Sequence, residues 1–427
     1  MKKKGKSPWK VVLAILLGIA CGSLTGTTSG IFGITFYSIY DLIGKLFINS
    51  LMLIVVPLVA ASIITGIARI GNESTMGRLG LKIFSFYIFT SFVAILIGLL
   101  VVNIFNPGTF FTEHGSSVIP PEAAMQMKDD LATGNGLSIS AVILQIIPSN
   151  IVDVFHGQMM GLIFFSLLSG YAISKIDHHP QSIILGFWQA VFQTMLVITD
   201  VIMVFLPLGV FCLVAKSFAM SGLDSLRALA IFFVTVVVGL SLFMFLALPF
   251  LLKFIGKVNP FNHFKAMAPA LVTAFSTSSS SATLPVTIEC VEKRAGVSNR
   301  ICSLVIPLGT SINMSGSALY ECVAALFIAQ VYGVELSLTT QFSVVLLSLV
   351  TSIGIAGIPS ASIVAIIIIL KAIGLPAEGI GLLFAVDRIL DMCRTTVNVF
   401  SDSCCAILVA TTEGEKDVLL RKEFDLI

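Results

Sequence analysis

Charge is what this sequence has least of: Asp, Glu, Lys and Arg make up 11% of its 427 residues, while 56% are hydrophobic. So few charges cannot solvate a water-soluble body of this size, which excludes a soluble enzyme or binding domain and makes a bilayer the natural solvent. Histidine is also scarce. The five residues are scattered, with His114, His178 and His179 in polar loops, and they form no metal cluster. The eight cysteines lie mostly inside apolar segments (Cys21, Cys212, Cys302, Cys322, Cys393, Cys404, Cys405), with Cys290 near a segment end. Their spacing gives neither a disulfide framework nor a zinc site, and the adjacent Cys404 and Cys405 read as small packing residues. A net charge of +2 without a basic patch leaves no nucleic-acid surface.

What is present is a series of apolar stretches at 9–24, 51–67, 84–105, 183–211, 228–254 and 344–370. These approach or exceed the roughly 20 apolar residues that a spanning helix needs, and together with shorter pieces they predict about eight spans. They are continuously apolar rather than alternating, which excludes a membrane barrel and predicts an all-α polytopic membrane protein. Residues 1–10 carry five lysines and no acid, so the positive-inside rule places the N-terminus in the cytoplasm. Arg69, Arg78 and Lys82 agree with that orientation. The stretch 107–136, with Glu113, Glu122, Asp129 and Asp130 against Lys128, suits the outer side, and the charged tail from Glu413 returns to the cytoplasm. The basic start, followed by an apolar run ending at Cys21, also resembles a cleavable signal. With no soluble domain after it, a retained first helix is expected.

The two halves of the chain differ. From about residue 224 the apolar segments are broken by polar clusters: six hydroxyl residues at 276–281, closed by Thr283 and Pro285, then NMSGS at 313–317, then GIAGIPSAS at 354–362. Irregular backbone at membrane depth survives only inside protein or beside a water-filled cavity, where freed carbonyls and half-helix N-termini bind ions and carboxylates. Two re-entrant hairpins around a broken helix are therefore expected here.

The last helix, 379–411, carries Asp387, Arg388, Asp391, Arg394 and Asp402. Charges at about 3 kcal/mol each would oppose insertion by on the order of 15 kcal/mol. At about 100° per residue these five, with Thr395 and Asn398, share an arc of about 120° that faces a polar centre. Pairing within the helix would neutralise four of them and leave Asp402 unexplained. A carboxylate isolated at that depth binds a cation or a proton, and with Asn398 and the carbonyls of the NMSGS break Asp402 can complete an oxygen-ligand sodium site. Arg394 offers a planar fork for a carboxylate, and Asp391, one turn away, can receive an ammonium group. Glu321, two turns after Asn313, is a proton-carrying candidate by position alone.

The strings TSSSSATLPVT (277–287), IPLGTSINMSGSALYE (306–321), SIGIAGIP (352–359) and DRILDMCRTTVNVFSD (387–402) resemble the glutamate/aspartate:cation symporter family, which includes the mammalian excitatory amino-acid transporters. YIFTS at 87–91 and NPG at 106–108 extend the likeness over almost the whole chain. The resemblance implies eight transmembrane helices plus two re-entrant helical hairpins, inverted repeats, which are a known feature of this family, and an elevator-type homotrimer. It implies scaffold helices 1–2 at 1–72, transport-domain helix 3 at 73–106 and an extracellular loop at 107–142. Scaffold helices 4–5 follow at 143–223, then the transport core at 224–412 (helix 6, hairpin 1, broken helix 7, hairpin 2, helix 8) and a cytoplasmic tail at 413–427. Substrate contacts carried over are Ser278, Ser279, Ser280, Ser317, Asp391, Arg394, Thr395 and Asn398, with Gly357, Ile358 and Ser362 in the gating second hairpin. Sodium would use Asp402, Asn398, Asn313 and Gly309 at one site, Ser311 with carbonyls around Ser352, Ile353 and Ile355 at a second, and Tyr87, Thr90, Ser91 and Asn313 at a third.

The chain departs from the family in places. Ser315 stands where the usual NMDGT motif has an aspartate, so the third sodium site lacks its charged ligand. Glu321 matches a glutamate of the mammalian members that takes part in proton coupling, where archaeal members have glutamine. The arginine that many members place at Ser278 or Met392 is missing from both, and Arg388 is the candidate to fill that role. The function implied is sodium-coupled symport of aspartate or glutamate, with proton co-transport through Glu321, in a bacterial inner membrane and with no organic cofactor. A C4-dicarboxylate carrier needs no ammonium partner such as Asp391, a neutral amino-acid carrier needs no Arg394, and an intramembrane hydrolase finds no Ser-His or Ser-Lys pair.

Overall fold

The computed structural model describes residues 9–31, 33–70, 76–109, 147, 150, 159–221, 225–354, 361–415 and 418–419. The lysine-rich start, most of the acidic stretch at 107–136 and most of the tail lie outside them. Among the described residues the protein is helical but for one small antiparallel pair, β1 (Gly30–Ile31) with β2 (Ile34–Thr35), which joins α1 (Trp9–Thr25) to α2 (Phe36–Ile70). The all-α expectation did not include this pair, which lies between the apolar stretches at 9–24 and 51–67. It closes on Gly33, whose φ of 80° favours a residue without a Cβ.

Two groups of helices pack among themselves. One comprises α1, α2, α4 (Met159–Ile173), α5 (His178–Ile202) and α6 (Leu206–Ser221). Between helices in lipid the attraction is close packing, for which small residues are needed. A Cβ on Gly22 of α1 would lie 2.3 Å from the Ala215 carbonyl oxygen on α6, so only glycine lets these two backbones touch.

The second group is built around α3 (Met76–Phe105) and everything after residue 225. α7 (Ser225–Leu242) runs through a π-helical turn, Phe243–Ala247, into α8 (Leu248–Phe254). α9 (Pro260–Thr277) and α10 (Ser280–Glu289) form a hairpin, extended by a π-turn at Cys290–Arg294. α11 (Asn299–Ile312) and α12 (Ser315–Val331) are the halves of the broken helix, α13 (Leu338–Gly354) and α14 (Ala361–Ala372) the arms of a second interrupted pair, and α15 (Ile380–Thr412) the charged final helix. α15 packs against α9, α11 and α12, and it also touches α6 of the first group. By length and hydropathy five helices can cross a membrane among the described residues. α15 is not one of these: it is too charged, and it is sheltered by the helices around it.

Beyond α15 the chain turns back on the base of this second group. Glu413 pairs with Lys82 of α3 at 2.5 Å. Glu415 accepts from the Ser298 backbone N–H at 3.1 Å and from its hydroxyl, and the Leu419 N–H donates to the Ala295 carbonyl at 2.8 Å. The hydrogen bond from Lys82 holds the Glu413 carboxyl below the usual carboxylate range. A depressed folded-state pKa stabilises above the unfolded value and loses that effect as the pH falls through the folded one. The stability margin of the native protein over Glu413→Gln should therefore be full near neutral pH and fade below about pH 4 in thermal melts, remaining small because the pair is solvent-screened. In hydrogen exchange, Glu415→Ala should speed exchange of the Leu419 amide.

Candidate functional site

The site begins at the break between α11 and α12. Asn313 (φ −96°, ψ 73°) and Met314 (φ −96°, ψ 48°) leave helical geometry, so carbonyls at the end of α11 and amides at the start of α12 lose their intrahelical partners. In a bilayer such groups need a partner from within the protein. α15 supplies it: Asn398 Oδ1 accepts from the Gly316 N–H at 2.8 Å, and Asn398 Nδ2 reaches the Ser317 hydroxyl and Met314 Sδ, each at 3.2 Å.

One turn further along α15, Asp402 is buried, and its Oδ1 accepts from Asn313 Nδ2 at 2.9 Å. Gly309 faces this carboxylate, since a Cβ there would lie 2.5 Å from Asp402 Oδ1. Around the Asn313 amide gathers a nest of oxygens. The Ser315 hydroxyl donates to Asn313 Oδ1 at 2.7 Å, Thr90 and Ser91 approach the same atom at 3.3 and 3.4 Å, and Ser401 accepts from Asn313 Nδ2 at 3.1 Å. Ser315 also lies 3.2 Å from both Ser91 and Ser401. Asp402 apart, this nest is neutral. Hard oxygen ligands with one carboxylate suit a monovalent cation better than a soft transition metal.

The second centre is Arg394, 1% exposed. Its Nη2 donates to Asp387 Oδ1 at 2.9 Å and to Asp391 Oδ1 at 3.0 Å, and its guanidinium lies 3.9 Å above the Tyr320 ring. Arg388 reaches the other oxygen of Asp391 at 3.7 Å. The pairing within the helix that the sequence allowed is thus present for four of the five charges, but it is incomplete. Arg394 Nε and Nη1 are buried without a hydrogen-bond partner among the described residues. Buried guanidinium nitrogens are costly to leave unpaired, and a planar fork with two free corners is shaped for a carboxylate.

The tip of the α9–α10 hairpin is the third component. Ser278 takes a left-handed conformation (φ 49°, ψ 37°) that ends α9, and its buried hydroxyl has no partner among the described residues. Ser279 caps α10 by accepting from the Ala282 N–H, and Ser280 is buried.

The structure separates the expected residues as well as gathering them. Tyr87 is buried near the oxygen nest, but its hydroxyl donates to the Val305 carbonyl. Ser311 is exposed and the Ser352 hydroxyl turns back to Leu349 O, so no hydrogen bond joins this pair among the described residues. Ile353 is half-buried beside it, Thr395 is buried one residue past Arg394, and Ile355, Gly357 and Ile358 lie outside the described residues. Glu321 accepts from Thr351 at 3.0 Å, so the acid on α12 is tied to the first arm of the second hairpin, and Ser362 is buried at the start of the other arm. Ser401, Thr351 and Asp387 were missed as site residues. Serine and threonine in an apolar helix give no signal until their neighbours are known, whereas Asp387 was visible as a charge but not as the fixed partner of Arg394.

A broken helix stitched by a charged helix, with a neutral oxygen nest beside a buried carboxylate and a half-satisfied arginine, defines a multi-pass membrane transporter. Residues 8–412 match the sodium:dicarboxylate symporter family, and the chain belongs to it. Among its relatives, the proton/sodium-glutamate symport protein of Geobacillus stearothermophilus is 34% identical over 97% of this chain and 96% of its own length. The proton/glutamate-aspartate symporter of Escherichia coli (strain K12) is 32% identical over 96% and 93%. The excitatory amino acid transporter 3 of Homo sapiens is 33% identical over 93% and 84%. The family and these relatives are transporters, not enzymes.

Gly309→Ala should displace the Asp402 carboxylate, because the clash is with the acid itself rather than a flexible chain end. The extra thermal stability that sodium chloride gives over choline chloride should shrink at least tenfold in apparent affinity, while melting without sodium changes little.

Proposed function

We propose that this chain is a secondary active symporter of acidic amino acids, aspartate or glutamate, driven by sodium, with a proton carried at Glu321. The observation that carries the reading is Arg394, buried with two unpaired nitrogens beside Asp391. A side-chain carboxylate fills that fork, and the substrate ammonium goes to Asp391, whose Oδ2 has, among the described residues, only the longer contact to Arg388. A C4-dicarboxylate would set a second anion against Asp391, and a neutral amino acid would leave the fork unfilled. The names of the glutamate and aspartate symporters among the relatives support the same substrate class.

Sodium binds at Asp402, Asn398, Asn313 and Gly309, where the geometry is closest to complete. The nest of Thr90, Ser91 and Asn313 is a weaker cation site, because Ser315 satisfies it with hydrogen bonds and adds no charge. Ser278, Ser279, Ser280, Ser317, Thr395 and Ser362 with the second hairpin enclose the substrate. The two packing groups support a fixed scaffold and a mobile transport core, eight spans in all, working as an elevator. α5, apolar enough to span yet buried only at Gln181 and Thr199, supports a homotrimer in which another copy or lipid covers it. Both termini lie in the cytoplasm of a bacterial cell whose inner membrane holds the protein.

The test is uptake of radiolabelled aspartate into proteoliposomes with sodium and proton gradients imposed separately. Sodium-driven uptake should vanish in Asp402→Asn and fall by at least a hundredfold in Arg394→Ala; full uptake by either variant would refute its role. Glu321→Gln should keep sodium-driven uptake but lose its acceleration by an inward proton gradient. An unchanged response to that gradient would remove the proton from the scheme.

A further inference from the structure

His263 sits on α9 four residues into the first arm of the serine hairpin, at 0% exposure. Its Nε2 lies 2.9 Å from the Ser403 hydroxyl on α15. That hydroxyl already donates to the Phe400 carbonyl at 2.7 Å, so it accepts from the imidazole, and the ring carries its hydrogen on Nε2. Nδ1 is then a buried acceptor, and it has no partner among the described residues. The rest of the pocket is aromatic: the His263 ring is 5.2 Å from that of Phe400, and Phe264 stacks on Phe400 at 4.2 Å. A phenylalanine would suit these surroundings without burying an unpaired nitrogen, and the chain uses phenylalanine freely, at 32 positions. What phenylalanine cannot supply is the donor to Ser403.

That bond has an unusual position. Among the described residues, the hydrogen bonds within hydrogen-bonding distance between the hairpin, α9 with α10, and α15 reduce to this single pair, although α9 packs along α15. Apolar packing is non-directional and fixes axial register poorly, whereas one buried polar pair sets it. In the proposed substrate site the hairpin tip faces Arg394, Thr395 and Asn398, and Ser403 follows Asp402 directly. We infer that the His263–Ser403 hydrogen bond is the register pin of the serine hairpin on α15, a positioning contact that sets Ser278, Ser279 and Ser280 against the Arg394 centre. Loss of the donor lets the arm shift along α15, which loosens the tip and weakens substrate binding without disturbing the aromatic packing.

The functional half of this inference rests on the acidic amino-acid reading; the structural half does not. The experiment compares His263→Phe, His263→Gln, Ser403→Ala and the double variant His263→Phe/Ser403→Ala in the full-length protein. His263→Phe keeps the ring stack and removes the donor, while His263→Gln keeps an N–H donor at nearly the same reach. One hydrogen bond corresponds to about a tenfold effect. His263→Phe and Ser403→Ala should therefore each raise hydrogen exchange at residues 276–283 and the KM for aspartate by about tenfold with kcat little changed; His263→Phe should leave the melting temperature little changed, whereas Ser403→Ala, which strands the buried Nε2–H, should lower it. The double variant should do no more than either single one, and His263→Gln should restore most of both values. Unchanged exchange and KM in His263→Phe, additive effects in the double variant, or no rescue by glutamine would each overturn the pin. If His263→Phe fails to fold, Ser403→Ala against the native protein carries the same comparison. Absence of aspartate uptake by the native protein would count against the substrate reading, and the exchange measurements would still decide the pin.

Discussion

The structure depends on one constraint: a helix broken inside a bilayer has to have its severed hydrogen bonds satisfied by its neighbours. At Asn313 and Met314 that neighbour is α15, through Asn398 to the Gly316 amide and through Asp402 to the Asn313 side chain. The same residues that repair the break are those that gather oxygens around the Asn313 amide. In the binding role proposed for these residues, repair and binding would not be separable, because polar groups brought in to satisfy backbone are also available to an ion that competes for them.

Charge follows from the same arrangement. Asp387, Arg388, Asp391 and Arg394 carry two charges of each sign and lie within one face of α15, so the helix can be placed at membrane depth without a net charge at that level. The balance is geometric as well as numerical: Arg394 gives one nitrogen to two carboxylates and holds the remaining two in reserve. The Tyr320 ring lies beneath the guanidinium and covers one of its faces. Asp402 stands outside this balance, paired with no cationic side chain among the described residues, which is why sodium is proposed there.

Glu321 has a different character. Among the described residues it is hydrogen-bonded to Thr351, on the first arm of the second hairpin, rather than paired with a charge. An acid whose partner is a hydroxyl on an arm of the second hairpin ties that arm to the broken helix, and the proton coupling proposed for it rests on that contact as well as on its position.

From the sequence alone came the membrane class, the helical architecture and the places where helices break, because these follow from local composition: apolar runs span, and Ser, Gly and Pro clusters interrupt. The charged face of α15 was also legible, since helical periodicity puts Asp391, Arg394, Asn398 and Asp402 on one side wherever the helix lies. Folding decided what distance along the chain conceals. It paired Ser315 with Ser91 and Ser401, set Gly309 against Asp402, turned the Tyr87 hydroxyl to Val305, and placed His263 on Ser403. A hydroxyl or an imidazole in an apolar helix has many partners open to it, and only the packed arrangement of helices selects one.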